Sequence, residues 1–126
     1  MKMIIGIGID IVELSRIKGL MERHASFVKR ILTSQEEEEW QALSKTRQVE
    51  YLAGRFAAKE AIGKALGTGI GQAFGFQDVS ILQSASGAPL VRWKEEKGFI
   101  THISISHSRE YACAQVILED RNPSCC

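Results

Sequence analysis

The strongest apolar periodicity in the chain runs from Val49 to Leu66. Val49, Leu52, Ala53 and Phe56 fall at i, i+3, i+4 and i+7, which marks one face of a helix. Continued one turn, that face reaches Glu60, then Gly63 with Lys64 beside it. A carboxylate on an apolar face is costly unless it is paired or bound to a metal. A glycine one turn on clears side-chain bulk where a ligand needs room, and a lysine there can hold an anion. The pattern points to a metal with an anionic ligand such as a phosphate. The plainer alternative is a surface pair of Glu60 with Lys64 or Lys59.

A second pattern, of period two, opens the chain. Ile5, Ile7, Ile9 and Ile11 share one side of a predicted strand, and Gly6, Gly8 and Asp10 share the other. Glycine inside a strand marks close approach by a ligand or by another backbone. Tight packing of a helix would explain the two glycines equally well. Asp10 ends the cleared face and Glu60 interrupts the apolar one, so the two are expected to meet.

The rest of the chain divides into short elements. Val12 to about Arg23 reads as a helix with the stripe Leu14, Ile17, Leu20, Met21 and with Arg16, Lys18, Arg23 and His24 opposite. Phe27 to Leu32 is a short helix or turn. Thr33 or Ser34 caps a helix from Glu36 to Leu43, and the run Glu36 to Glu39 suits its first turn through the helix dipole alone. Thr46 is the expected cap of the long helix. The glycines at 67, 69 and 71 follow a helix instead of opening one and lack a Gly-Lys-Ser/Thr ending, so they form neither a dinucleotide fingerprint nor a Walker loop. Strands are expected at Asp78 to Gln83, Leu90 to Trp93, Thr101 to Ser106 and Tyr111 to Leu118, with a turn at Ser86-Gly87-Ala88-Pro89. Helices first and strands later predict an α+β fold in one domain, residues 1–120, followed by a frayed tail, residues 121–126.

Bulk properties add exclusions. The chain has 126 residues, a net charge of +1 and 25% charged residues, which gives no global case for nucleic acid or membrane binding. No apolar run is long enough to span a membrane, and no secretory leader pattern is present. Cys113 lies in an apolar run and reads as a core residue. Cys125 and Cys126 sit in the tail, and the three form neither a disulfide framework nor a metal-site spacing. A reduced, cytoplasmic setting is expected.

Three segments, in order, resemble the holo-[acyl-carrier-protein] synthases, the small bacterial 4'-phosphopantetheinyl transferases. They are Gly6-Ile7-Gly8-Ile9-Asp10-Ile11-Val12-Glu13-Leu14, Leu52-Ala53-Gly54-Arg55-Phe56-Ala57-Ala58-Lys59-Glu60-Ala61 and Ile103-Ser104-Ile105-Ser106-His107-Ser108. Arg30-Ile31-Leu32-Thr33 and the glycine-rich segment 67–71 support the match. Ala88 departs from it, at a place where the family often has lysine.

The resemblance implies an enzyme of fatty acid biosynthesis. It would move the 4'-phosphopantetheine arm of coenzyme A to a serine of apo acyl carrier protein and release adenosine 3',5'-bisphosphate. It further implies Mg²⁺ on Asp10 and Glu60, and a homotrimer with active sites between subunits. Two carboxylates plus substrate phosphates suit Mg²⁺, and phosphoryl transfer rests on positioning and charge neutralisation. Lys64 would neutralise the pyrophosphate, and Arg47, Ser106 and His107 would meet other phosphates, from a neighbouring subunit where geometry requires it. A metal-bound water or Glu60 would take the serine proton. Arg16 and Arg23 resemble the family's carrier-protein contacts. Apolar surface for the trimer is expected on the strands Ile103 to Ser106 and Tyr111 to Leu118. The rival reading is a non-catalytic trimeric module that binds nucleotide or coenzyme A. It would have no use for both carboxylates.

Overall fold

The computed structural model describes residues 3–121, so the tail at 122–126 lies outside the described residues. Ten elements follow one another: β1 (Ile4–Glu13), α1 (Leu14–Arg23), α2 (Ala25–Ile31), α3 (Ser34–Gln41), α4 (Lys45–Leu66), a 3-10 turn (Phe76–Asp78), β2 (Val79–Gln83), β3 (Pro89–Trp93), β4 (Phe99–His107) and β5 (Tyr111–Asp120). β1, β5 and β4 form a three-stranded antiparallel sheet with β5 in the middle. β2 and β3 form a separate two-stranded ribbon. The fold is α+β, as the order of patterns predicts. No helix among the described residues is long and apolar enough to cross a membrane.

α4 lies across one face of the sheet and is buried on almost every side, at Leu52, Ala53, Ala57, Ala58, Ala61 and Ile62 among others. Where it meets β1 its residues are the small Ala61 and Ala65, so helix and sheet come very close. A Cβ at Gly8 would strike the carbonyl of Ala61, and one at Gly6 the carbonyl of Ala65. The cleared face of β1 is therefore filled by a helix backbone and not by a ligand. Gly63 is corrected in the same way. A Cβ there would come within 2.8 Å of the Gly69 backbone, so the missing bulk admits the chain's own loop after the left-handed cap at Gly67 (φ 80°).

The isoleucines of β1 lie on the opposite side of the sheet and are uncovered. Ile5, Ile7, Ile9 and Ile11 are 50%, 62%, 64% and 65% exposed. Register places Ile7 beside Ile117 and His102, Ile9 beside Gln115 and Ser104, and Ile11 beside Cys113 and Ser106. This corrects two expectations. Cys113 is half-buried on that outer face, not in the core. The apolar surface belongs chiefly to β1, because β4 and β5 turn Ile103, Ile105, Val116 and Leu118 towards α4.

Local boundaries differ by a few residues from the sequence reading. β1 runs on to Glu13, which delays α1. Ser44, not Thr46, caps α4 by accepting the Arg47 N–H. Thr33 caps α3 in a capping box with Glu36. That glutamate does more than favour a helix dipole. It is fully buried and pairs at 2.6 Å with Lys59, also fully buried.

Candidate active site

Lys59 and Glu60 are adjacent on α4, so their side chains leave the helix about 100° apart. Lys59 points away from the sheet and is fully satisfied. Its ammonium donates to Ile31 O (2.8 Å), Phe76 O (2.8 Å) and Glu36 Oε1 (2.6 Å). Burial pulls its pKa down, and the Glu36 carboxylate opposes that. Glu36 also accepts from the backbone N–H groups of Thr33 and Ile81. Five elements, α2, α3, α4, the 3-10 turn and β2, are tied at this one point. Lys59 is thus not available to Glu60, which removes one half of the surface-pair alternative.

Glu60 is half-buried on the side where α4 meets β1. Burial raises its carboxyl pKa, and the nearby charge of Asp10 raises it further. Lys64 and Arg16 act in the opposite sense. Asp10 follows Gly6 and Gly8 on the α4-facing side of β1. Lys64, one turn beyond Glu60, donates to Asp10 Oδ1 (3.1 Å) and to Ile9 O (3.0 Å). The expected meeting of Asp10 with Glu60 occurs, and Lys64 joins them together with Arg16 of α1. No group of three His, Cys, Asp or Glu able to hold a metal ion occurs among the described residues. Two oxygen-donor carboxylates side by side fit a hard cation that takes its remaining ligands from substrate phosphates and water. Arg23 lies elsewhere on α1, exposed and folded back over Gly19.

The other predicted anion contacts form a second cluster at the far end of α4. Arg47, Glu50, Tyr51, Arg55, Gln83, Gly87, Pro89, Ile105 and His107 are among the residues that line a cleft of about 230 Å³ between α4, β4 and the β2–β3 ribbon. Glu50 sits 3.9 Å from Arg47 and 3.8 Å from His107. Ser106 is not part of this cleft, because strand alternation turns it to the outer face beside Cys113. Glu60 is thirteen residues along α4 from Arg47, roughly 20 Å at 1.5 Å per residue. Arg55 at the cleft wall, and Glu39 behind it, escaped the sequence reading. The only hint was Arg55 itself, a long charged side chain in a helix otherwise rich in small residues.

Residues 6–116 match the model of the 4'-phosphopantetheinyl transferase superfamily. The holo-[acyl-carrier-protein] synthase of Geobacillus kaustophilus (strain HTA426) is 54% identical over 121 residues, 96% of this chain and 93% of that protein. That of Geobacillus sp. (strain WCH70) is 56% identical over 117 residues, 93% of this chain and 98% of that protein. Among solved structures, the Bacillus anthracis str. Ames synthase in complex with CoA (3',5'-ADP) superposes with a TM-score of 0.88 at 47% identity, covering 94% of this chain and 98% of that one. The Helicobacter pylori synthase in complex with coenzyme A gives 0.79 at 36% identity, over 89% and 98%.

Proposed function

The chain belongs to the 4'-phosphopantetheinyl transferase superfamily, among its holo-[acyl-carrier-protein] synthases, and from that premise we propose how its two clusters divide the work. The enzyme transfers 4'-phosphopantetheine from coenzyme A to a serine of apo acyl carrier protein. The serine Oγ gives up its proton, to Glu60 or to a water, and forms a bond to the β-phosphorus; the bond from that phosphorus to the bridging oxygen breaks, and adenosine 3',5'-bisphosphate leaves with the electron pair. The observation that carries the assignment is the Asp10–Glu60–Lys64 cluster.

Asp10 and Glu60 are the residues to hold Mg²⁺, which when bound supplies positive charge against the pyrophosphate. Lys64 offsets the charge that grows on the leaving phosphate, and it exchanges its Asp10 partner for that phosphate as substrate binds. Arg16, within electrostatic reach of Glu60, sits on α1 where an acidic carrier protein docks, with Arg23 extending the basic face. Arg47 and His107 hold the remaining phosphate of coenzyme A. Glu50 orients both and is displaced as an ionic partner when the phosphate arrives.

The separation of the clusters argues for a site shared between subunits. The 3'-phosphate and 5'-pyrophosphate of coenzyme A are carried on one ribose, so a single molecule cannot reach both ends of one α4. A neighbouring copy can bring its Arg47 and His107 to this chain's Asp10 and Glu60. The uncovered isoleucine face of β1 supports a closed homotrimer, because ring closure buries that face. Ser106, on the same outer face, then lies at the subunit junction.

Mass spectrometry of apo carrier protein incubated with the enzyme, coenzyme A and Mg²⁺ tests the reading. Gain of one phosphopantetheine mass is the expected result. Coenzyme A binding with no mass gain, at any Mg²⁺ concentration, would leave only the nucleotide-binding module.

A further inference from the structure

The β2–β3 ribbon forms one wall of the cleft, yet neither of its strands pairs with the main sheet. A lone two-stranded hairpin is marginally stable in water. Something else must set where this wall stands. Register within the ribbon leaves the N–H groups of Ile81 and Gln83 and the carbonyl of Ile81 facing α3 and α4. Two glutamates of α3, three residues apart, take those N–H groups as a neighbouring strand would. Glu36 accepts from Ile81 N (2.6 Å), and Glu39 accepts from Gln83 N (3.2 and 3.3 Å).

The two carboxylates differ in what else they hold. Glu36 belongs to the sealed pair with Lys59. Glu39 stands behind the cleft and holds residues that line it. It accepts the Tyr51 hydroxyl (2.7 Å) and lies 4.0 Å from Arg55. Arg55 donates to Ile81 O (2.8 Å) and packs 3.8 Å above the Tyr51 ring. Tyr51, Arg55 and Gln83 all line the cleft. One carboxylate therefore joins the helical wall of the cleft to the ribbon wall, next to the hairpin turn at Gly87 and Pro89.

We infer that Glu39 is a positioning residue for the nucleotide end of coenzyme A, holding the β2–β3 ribbon at the distance from α4 that the ligand needs. This rests on the reading of the cleft as the nucleotide site. Glu39 touches no substrate itself. Its loss lets the ribbon move, so the ligand must order that wall on binding and affinity falls. The chemical step at Asp10 and Glu60 is untouched.

Calorimetric titration with adenosine 3',5'-bisphosphate, together with steady-state kinetics, tests the inference. Glu39→Ala should weaken binding of the bisphosphate about tenfold and raise KM for coenzyme A in parallel, with kcat within about twofold. Glu39→Gln keeps an acceptor for Gln83 and Tyr51 and should recover most of the loss. Tyr51→Phe, which leaves the ribbon bond in place, should cost less than Glu39→Ala. Glu38→Ala removes the same charge from an exposed neighbour and should match the wild type. If Glu39→Ala binds the bisphosphate as the wild type does, the inference fails. It fails equally if the variant loses only melting temperature and active fraction, with KM unchanged. If the wild type itself binds no bisphosphate, the assignment of the cleft falls first and the inference with it.

Discussion

Two neighbouring charges on α4 meet opposite fates. Lys59 is sealed, with all three of its protons donated and a carboxylate of its own. Glu60 stands half-open among Asp10, Lys64 and Arg16, and no hydrogen bond to its carboxylate occurs among the described residues. A finished network holds structure together, while an unfinished one keeps capacity for a ligand. The difference is not in residue type, since each site has a lysine and a glutamate. It lies in how many partners each charge already has.

Breaking the sealed pair should have the largest effect. Lys59→Met leaves Glu36 buried without its cation and should cost about 3–5 kcal/mol of stability in urea denaturation. The double substitution Lys59→Met with Glu36→Met should recover a large part of that loss. If the single variant is as stable as the wild type, the pair does not hold the five elements together.

At the open cluster the prediction is reversed: function goes and the fold stays. Asp10→Asn and Glu60→Gln should each lower transfer by about a hundredfold or more, with the far-ultraviolet circular dichroism unchanged. Near wild-type transfer at limiting Mg²⁺ by either variant would remove the metal assignment.

Assembly comes next in size. Ile9→Glu puts a charge on the uncovered face, 64% exposed in the isolated chain. Light scattering should report a smaller species with transfer lost and the fold kept. A fully active monomer would defeat the shared site. At the rim of the open cluster, Arg16→Glu with Arg23→Glu should slow carrier-protein association about tenfold at low salt and flatten its salt dependence. Coenzyme A binding should not change.

The smallest effect concerns pH. The Glu60 pKa is higher folded than unfolded, through burial first and Asp10 second. Its ionisation therefore costs stability, and that cost appears as pH rises through the raised folded pKa. Without divalent metal, Glu60→Gln should melt above the wild type at neutral pH, and the gap should close as pH falls below the ordinary carboxylate range. A constant gap at all pH values would mean that the charge at Glu60 is not what the fold resists.

Sequence alone was enough for the order of elements, the α+β class and the meeting of Asp10 with Glu60. Periodicity of 2 and 3.6 reports which residues share a face, and a charge on the wrong face stands out without coordinates. It could not say what each face meets. Gly6, Gly8 and Gly63 look the same in sequence whether a ligand or the chain's own backbone fills the space, and here the backbone fills it. The isoleucines of β1 share one face by pattern, and nothing in the pattern says that this face lies uncovered. The run Glu36 to Glu39 reads as one dipole effect, yet Glu36 is buried and Glu39 bridges to the ribbon. Apart from Gly63, which meets Gly69 six residues on, those outcomes depend on contacts more than twenty residues apart in the chain, such as Lys59 with Glu36 and Glu39 with Gln83. Local pattern carries no record of such pairings, so only the tertiary structure decides them.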